Sequence, residues 1–154
     1  TMMKEYINVT WSELTEECQL LADHIHHAGV QFTDIIAIAR GGLIPAQHIA
    51  YALDIPRIYT TGINHYDGEE MQQEPVLYQP ITESFEGRAV LIVDELVDTG
   101  STIAHIKREL EHHGCKYIKT ACIWCKPNNL ASPEYWVRIV PSNVWLNMPY
   151  DKGE

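Results

Sequence analysis

The hydrophobic and polar positions of this chain change period several times along its length. Five short and largely apolar runs have the length and composition of buried strands. They are residues 33–39, 57–63, 88–95, 117–124 and 135–140. Apolar residues instead recur at helical spacing in residues 43–54 and 101–114. Because strands that are apolar throughout alternate with helices, the pattern predicts an α/β fold. We expect a Rossmann-like, open, twisted and mostly parallel five-stranded sheet with helices on both faces.

A first helix precedes these runs and has clear boundaries. Thr10 followed by Glu13 forms a capping box, and Gly29 marks the end of the apolar spacing. The expected buried face consists of Trp11, Leu14, Cys18, Leu21, Ala22 and Ile25. Three histidines lie near the end of the helix, where imidazoles suit the helix dipole. These are His24, His26 and His27. We interpret them as a solvated helix end rather than a metal site, because no carboxylate or thiol cluster is adjacent.

Length and charge restrict the function classes. The 154 residues, 45% of them hydrophobic, predict one domain over residues 1–154. Eleven Lys and Arg against 21 Asp and Glu give a formal charge of −10, which argues against nucleic acid or an anionic membrane as partner. No apolar run approaches the roughly 18 residues of a membrane span, and the first residues lack a secretory pattern. We therefore expect a cytoplasmic protein.

The four cysteines are too few for a disulfide scaffold in a chain of this length. Cys122 and Cys125 form a C-x-x-C pair, but they fall in a predicted strand. Residues three apart on a strand point to opposite faces, which argues against a shared zinc or redox site. We expect two small buried hydrophobic residues instead.

A stretch without clear periodicity, about residues 64–87, separates the second strand from the third. Loops of this length in a compact domain are usually lids, binding loops or disordered, and a solvent-facing β-hairpin is the alternative. From Ile58 to Gly87 there is no Lys or Arg, although several acids are present.

Candidate chemistry concentrates where the third strand ends. The segment VLIVDELVDTGST, residues 90–102, runs from an apolar strand into Asp94 and Glu95 and then into a loop that opens a helix. Ligands of open α/β sheets bind at such strand ends. Backbone N–H groups at a helix N-terminus, a glycine and three hydroxyls together make a phosphate cradle. Carboxylates beside it can accept sugar hydroxyls or hold a divalent cation. The structural alternative is a strand end followed by an ordinary helix cap.

Residues 90–102 resemble the phosphoribosyl pyrophosphate (PRPP) signature of the type I phosphoribosyltransferases. The resemblance implies that Asp94 and Glu95 bind the ribose hydroxyls and hold Mg²⁺, directly or through water. It also implies that the 5′-phosphate is held by Thr99, Gly100, Ser101 and Thr102. A second element of the family, the pyrophosphate loop, corresponds to Ala39–Gly42. There Arg40 would supply a forked cation and Gly41 backbone freedom.

Three further positions resemble the members of the family that act on 6-oxopurines. Asp98 lies in the PRPP-binding loop, and the resemblance makes it the catalytic residue that handles the proton on purine N7. Lys126 would bind the purine O6, Trp145 would stack on the base, and the backbone of Leu146 would read its 2-position. Without the resemblance, these residues are equally typical of a helix cap, an exposed turn lysine and a packing tryptophan.

The resemblance extends over nearly the whole chain outside residues 64–87, and is closest to short bacterial members acting on xanthine and guanine. It implies a small hood from the two termini, with residues 126–154 binding the base, and a flexible lid containing His65, Tyr66 and Asp67. The implied activity is Mg²⁺-dependent transfer of ribose 5-phosphate from PRPP to N9 of a 6-oxopurine by a homodimer or homotetramer. The alternative is a PRPP- or nucleotide-sensing regulatory protein on the same fold.

Overall fold

The computed structural model describes residues 3–64 and 76–151. Within these ranges the chain forms eight strands and three helices, which follow in chain order. The strands are β1 (Glu5–Asn8), β2 (Asp34–Ile38), β3 (Arg57–Asn64), β4 (Val76–Tyr78), β5 (Ala89–Val97), β6 (Tyr117–Cys125), β7 (Tyr135–Ile139) and β8 (Val144–Asn147). The helices are α1 (Trp11–His27), α2 (Leu43–Leu53) and α3 (Ser101–His112).

The main sheet has the strand order β4-β3-β2-β5-β6-β7. Its five parallel strands are those that the apolar runs predict, and their pairing confirms the α/β fold. β2 and the first half of β5 lie at the centre, and β2 is buried at every position. This explains why both strands are apolar without alternation, since each is covered on both faces.

Helices cover the two faces of the sheet, as predicted. One face packs against α1 and α2 through side chains such as Leu21 and Ile49, and the other packs against α3 through Ile106. The capping box of α1 forms, with Glu13 N–H donating to Thr10 Oγ1 at 3.1 Å. Trp11 is an exception to the predicted buried face: it is 56% exposed, because it occupies the first helical position and packs against Tyr150 instead.

A second, two-stranded sheet joins the two ends of the chain. β1 and β8 pair in parallel, with Tyr6 opposite Trp145 and Ile7 opposite Leu146. We call this pair the hood. The segment predicted for the hood was wider, residues 126–154, but β7 within it belongs to the edge of the main sheet.

The predicted lid divides into two parts. His65, Tyr66 and Asp67 lie outside the described residues. The second part contains β4, which pairs antiparallel with β3 and adds a sixth strand that the apolar pattern does not predict. Phe85, further along, is 1% exposed and packs edge-on against Tyr59. From Val76 onward the stretch is therefore closer to the hairpin alternative than to a free loop.

Cys122 and Cys125 are buried as expected, but the prediction that they point to opposite faces of the sheet is wrong. Cys122 and Cys125 lie in the same apolar cluster, on the α3 side of the sheet. The alternation of β6 is interrupted between them, because Ile123 and Trp124 both pack on the α1 side. Burial raises the pKa of both thiols, which keeps them protonated and unreactive.

No helix in residues 3–64 and 76–151 is long and apolar enough to cross a membrane.

Candidate functional site

The candidate site forms at the carboxyl end of β5, the strand with the predicted acids. β2 lies beside β5 in parallel, so the loops that follow these two strands meet at one edge of the sheet. Gly41, in the loop after β2, lies against Glu95: a Cβ added to Gly41 would be 3.1 Å from Glu95 Oε1. The structure thus brings the predicted pyrophosphate loop to the predicted acids. Arg40 is exposed there, and its peptide bond with Ala39 is cis.

Where the loop after β2 approaches β5, position 42 must be a glycine, which the sequence did not predict. A Cβ on Gly42 would lie 2.5 Å from the carbonyl oxygen of Val93 and 2.6 Å from that of Ile38. Both are backbone atoms of central strands, which cannot move aside. The second glycine of the R-G-G sequence was the available signal, since adjacent glycines after a strand often mark a close backbone approach.

Asp94 occupies a poorly solvated position. Burial raises its pKa to about 7, although its Oδ1 accepts a hydrogen bond from the Glu95 N–H at 2.7 Å, which lowers the pKa. The negative charge of Glu95 adds a smaller upward contribution. Among the described residues no cation pairs with Asp94. A desolvated carboxylate of this kind is typical of a functional site, because a bound cation or hydroxyl would replace the solvation that the carboxylate loses on burial.

Glu95 is buried and is held by Tyr150, a residue that the sequence did not indicate. The hydroxyl of Tyr150 donates a short hydrogen bond to Glu95 Oε2, although the two residues are 55 positions apart in the sequence. Burial raises the pKa of Glu95, and the Tyr150 hydrogen bond opposes that shift. Burial and the Glu95 carboxylate together raise the pKa of Tyr150, so the phenol remains a donor. No local sequence signal links positions 95 and 150.

The two acids face opposite sides of β5. Glu95 lies toward α1, where its charge contributes to raising the pKa of Cys18 to about 12, after burial. Asp94 lies toward the other side, where it adds to the raised pKa of Cys122. Successive residues of a strand diverge in this way. The sequence pair therefore becomes two separate carboxylates that flank the strand end.

The predicted phosphate loop has the geometry of a helix N-terminus open to an anion. Gly100 is the N-cap of α3 with φ of +90° and has no side chain to cap the helix. The first N–H of the helix, that of Ser101, donates a long hydrogen bond of 3.3 Å to Thr99 Oγ1. Thr99 Oγ1 lies 3.1 Å from Ser101 Oγ, so these hydroxyls share one edge of the loop. Asp98 and Thr99 are exposed, and Thr102 is half-buried. The N–H groups at the start of α3 and the adjacent hydroxyls suit a phosphate.

The segment after β6 packs directly onto this loop. The N–H of Leu130 donates to the Thr99 carbonyl at 2.6 Å, and a Cβ on Gly100 would lie 2.4 Å from the Ala131 nitrogen. Asn129 shapes this segment, because its Oδ1 accepts the N–H groups of Ala131 and Ser132. The loop is therefore buttressed from a second strand end, a contact that its own sequence does not predict.

Lys126 lies at the junction of the phosphate loop and the hood. Its N–H donates to the Val97 carbonyl at 2.8 Å, which places it beside Asp98 in the loop that follows β5. Its Nζ donates to the Pro141 carbonyl at 2.8 Å and, in a shorter contact, to the Val144 carbonyl. An ammonium has three donors, so one remains for a ligand such as the predicted purine O6.

Trp145 and Leu146 project from opposite faces of the hood. The ring of Trp145 is 57% exposed, and Lys4 Nζ lies 5.1 Å from its centroid. Leu146 is half-buried, and its side chain packs toward the α1 side of the core. An exposed aromatic face suits the predicted stacking role, and the backbone of Leu146 follows it directly.

The donor set at the strand end fits Mg²⁺. Mg²⁺ prefers one or two carboxylates together with substrate phosphates and water. Asp94 and Glu95 each supply one carboxylate, on its own side of β5, and desolvation raises the pKa of both, so either would be favoured by a ligand that compensates its charge. In the part of the chain that the structure describes, no group of three or more His, Cys, Asp or Glu side chains could hold a metal alone.

Known proteins are similar to this chain in sequence and in fold. The family described as phosphoribosyl transferase domain matches residues 10–151. The xanthine-guanine phosphoribosyltransferase of Gluconobacter oxydans is 35% identical over 147 residues, covering 95% of this chain and 84% of the relative.

Two solved structures extend the likeness to the whole fold. The purine phosphoribosyltransferase from Pyrococcus horikoshii superimposes with a TM-score of 0.86 at 30% identity, over 97% of this chain and 95% of the other. A hypothetical protein from Neisseria gonorrhoeae with bound ppGpp superimposes with a TM-score of 0.81 at 29% identity, over 99% of this chain and 92% of the other.

Proposed function

The chain belongs to the phosphoribosyltransferase family, and from this premise we propose that it transfers ribose 5-phosphate from PRPP to N9 of a 6-oxopurine. The products are the purine nucleotide and pyrophosphate, and the role is purine salvage. The relative from Gluconobacter oxydans, named for xanthine and guanine, supports this substrate class, as does the purine enzyme from Pyrococcus horikoshii. Guanine, xanthine and hypoxanthine are the proposed bases.

One observation carries the proposal: a helix N-terminus whose N-cap is a glycine lies beside the half-buried Asp94 and the buried Glu95, at the end of the central strand. The N–H groups of α3 and the hydroxyls of Thr99 and Ser101 would receive the 5′-phosphate. Asp94 and Glu95 would accept the ribose hydroxyls. This arrangement suits an anionic phosphosugar, even though the net charge of the chain is −10.

The reaction transfers charge onto the leaving pyrophosphate and leaves the ribose cation-like. Arg40, exposed at the end of β2, would support the pyrophosphate, and the two carboxylates would support the ribose. Asp94 and Glu95 would hold Mg²⁺, directly or through water, and the bound ion would help to neutralise the charge that develops on the leaving pyrophosphate. Asp98 would accept or share the proton of purine N7 as the bond forms at N9.

The base would lie between the hood and the phosphate loop. Trp145 would stack on it, the third donor of Lys126 would reach O6, and the backbone at Leu146 would read the 2-position. His65, Tyr66 and Asp67 would belong to a lid over the pyrophosphate. We also expect a homodimer or homotetramer, as the family resemblance implies.

A second candidate function is nucleotide sensing with little or no catalysis. The observation that favours it is the similar Neisseria gonorrhoeae structure, which holds ppGpp. A phosphate cradle beside a base-binding hood would accept a guanine nucleotide as readily as PRPP with a free base.

The two functions separate in one assay. The protein is incubated with PRPP, Mg²⁺ and guanine, xanthine, hypoxanthine or adenine, and pyrophosphate release is measured. If the protein is an enzyme, we expect pyrophosphate release with at least one 6-oxopurine and little release with adenine. Tight ppGpp binding with no release for any base would favour the sensor instead.

Asp98→Ala tests the catalytic assignment within the enzyme proposal. Removal of a proton-handling group is expected to lower kcat by roughly 10²- to 10⁴-fold while PRPP affinity changes little. Glu111→Ala, an exposed acid near the end of α3, is the matched control. An equal loss in kcat and in PRPP binding would exclude the proton role for Asp98.

A further inference from the structure

A cavity of about 270 Å³ lies beneath the hood, on the side of the main sheet that α1 covers. Its walls are mostly apolar and include Ile7, Trp124, Val140, Val144 and Leu146. The described residues that line it include none from the 90–102 segment. The cavity is therefore separate from the phosphate loop and from Asp94 and Glu95, and it shares only hood residues such as Val144 and Leu146 with the proposed base site.

A buried carboxylate lines this apolar cavity with one oxygen unsatisfied. Glu17 on α1 is only 9% exposed. Its Oε1 receives both guanidinium contacts of Arg138, from Nε at 2.9 Å and from Nη2 at 2.8 Å. Its Oε2 has no hydrogen-bond partner among the described residues. A buried carboxylate oxygen without a donor is costly, and native structures rarely leave one without a role.

The charges that line the cavity favour a cationic donor. Glu13 and Glu17 contribute two carboxylates and Arg138 one guanidinium, which leaves one net negative charge. The other lining residues are apolar and offer no further side-chain oxygens for a metal ion. The walls instead match the uncharged body of an organic molecule, and Glu17 Oε2 matches an N–H group at one end of it.

We propose that this cavity binds a compact organic cation, an amine or amidine with an apolar body, whose N–H group donates to Glu17 Oε2. The volume lies just below the roughly 300 Å³ lower end of small-molecule pockets, so it suits a one- or two-ring molecule rather than a nucleotide. Since Val144 and Leu146 are hood residues, the bound cation joins the hood to α1 and stabilises that contact. The site uses none of Asp94, Glu95 and Asp98, and it adjoins the proposed base site through the hood.

The test uses the full chain and benzamidine, an aromatic amidine, as the probe. Isothermal titration is expected to show saturable binding with one site per chain, accompanied by a change in Trp124 fluorescence. Benzyl alcohol has a similar body without charge, and benzoate has the opposite charge. Both are expected to bind at least about tenfold more weakly, as the loss of a charge-assisted hydrogen bond implies.

Two variants test the location of the probe. Glu17→Gln keeps the side-chain shape and an oxygen for Arg138 but removes the charge. It is expected to weaken the binding of benzamidine by about tenfold or more. Glu16→Gln, on the exposed face of the same helix, is the matched control and should leave binding unchanged. Ile7→Trp fills the cavity from its partly exposed rim and should abolish binding, which provides a second test if Glu17→Gln folds poorly.

Three results would overturn the proposal. One is the absence of saturable benzamidine binding, which means that the cavity holds only water. Another is equal weakening by Glu17→Gln and Glu16→Gln. The third is displacement of benzamidine by PRPP with Mg²⁺, because the probe would then occupy the proposed transferase site. None of these results depends on whether the chain has transferase activity.

Discussion

The phosphate loop and the hood lie on two sides of one candidate site, but the chain builds them in opposite ways. The phosphate loop is continuous: residues 94–102 pass from β5 into α3 without interruption. The hood is discontinuous, since β1 and β8 come from the two ends of the chain and pair only after folding. The first region is formed by consecutive residues and is supported by Leu130 and Ala131, whereas the second exists only through contacts between segments distant in sequence. Mutations should therefore affect the two regions differently.

Gly100→Ala should have the largest effect, because it strains the continuous region. The backbone at position 100 has φ of +90°, which disfavours any side chain. The new Cβ would also lie 2.4 Å from the Ala131 nitrogen. We expect the free energy of unfolding to fall by roughly 3 kcal/mol or more. The control is Gly87→Ala, at φ of +77° in open space, which should cost only about 1–2 kcal/mol. Urea denaturation measures both, and equal losses would mean that the contact with residue 131 is unimportant.

Asp94→Asn should separate stability from function within the same region. The folded pKa of Asp94 is about 7, raised from 3.8, so the folded state retains a proton that the unfolded state has lost between these values. The stability contribution of Asp94 therefore falls as the pH rises through this window. In magnesium-free buffer we expect Asp94→Asn to raise the free energy of unfolding by about 2 kcal/mol or more at pH 8 and by almost nothing at pH 4.

The same Asp94→Asn variant should lose PRPP binding, as expected when a functional carboxylate is held at a cost to stability. Asp98→Asn, in the exposed part of the loop, is the control and should give no comparable gain at pH 8. Denaturation curves at the two pH values provide the measurement. A pH-independent gain for Asp94→Asn would indicate that repacking, not charge, is responsible.

Lys126→Met should act on the hood side. It removes the two hydrogen bonds to the Pro141 and Val144 carbonyls, and we expect a loss of about 2 kcal/mol in the free energy of unfolding. The KM for the purine should rise while the KM for PRPP stays nearly constant, because the phosphate loop does not depend on these bonds. Lys116→Met, an exposed lysine before β6, is the control. A rise in both KM values would show that the two regions are not separable.

Tyr150→Phe should have the smallest effect, and it tests the link between the two regions. It removes only the hydroxyl that donates to Glu95, at an expected cost of about 1 kcal/mol in the free energy of unfolding. Because that hydrogen bond opposes the raised pKa of Glu95, PRPP binding should weaken most at acidic pH. Tyr51→Phe, on the exposed face of α2, is the control. Unchanged PRPP affinity across pH would mean that Tyr150 serves the C-terminal turn alone.

Particular residues show how far the sequence could predict this fold and site. The five parallel strands follow from their apolar runs, and the start of α1 follows from Thr10 and Glu13, because those signals are local. β4 did not follow, since a three-residue edge strand carries little periodicity. The prediction that Cys122 and Cys125 point to opposite faces was wrong, because side chains of β6 do not alternate regularly at Ile123 and Trp124.

In the candidate site, too, the local features could be predicted from the sequence and the long-range contacts could not. The sequence alone determined that acids, a phosphate cradle and a helix N-terminus follow one another at the end of a buried strand, because consecutive residues in regular structure have fixed relative positions. Only the tertiary structure decided that Asp94 and Glu95 diverge and that Gly42 must lack a side chain. It also decided that Tyr150 holds Glu95 and that Lys126 binds the hood carbonyls. Those contacts join segments far apart in the chain, and their geometry depends on packing that no local pattern encodes.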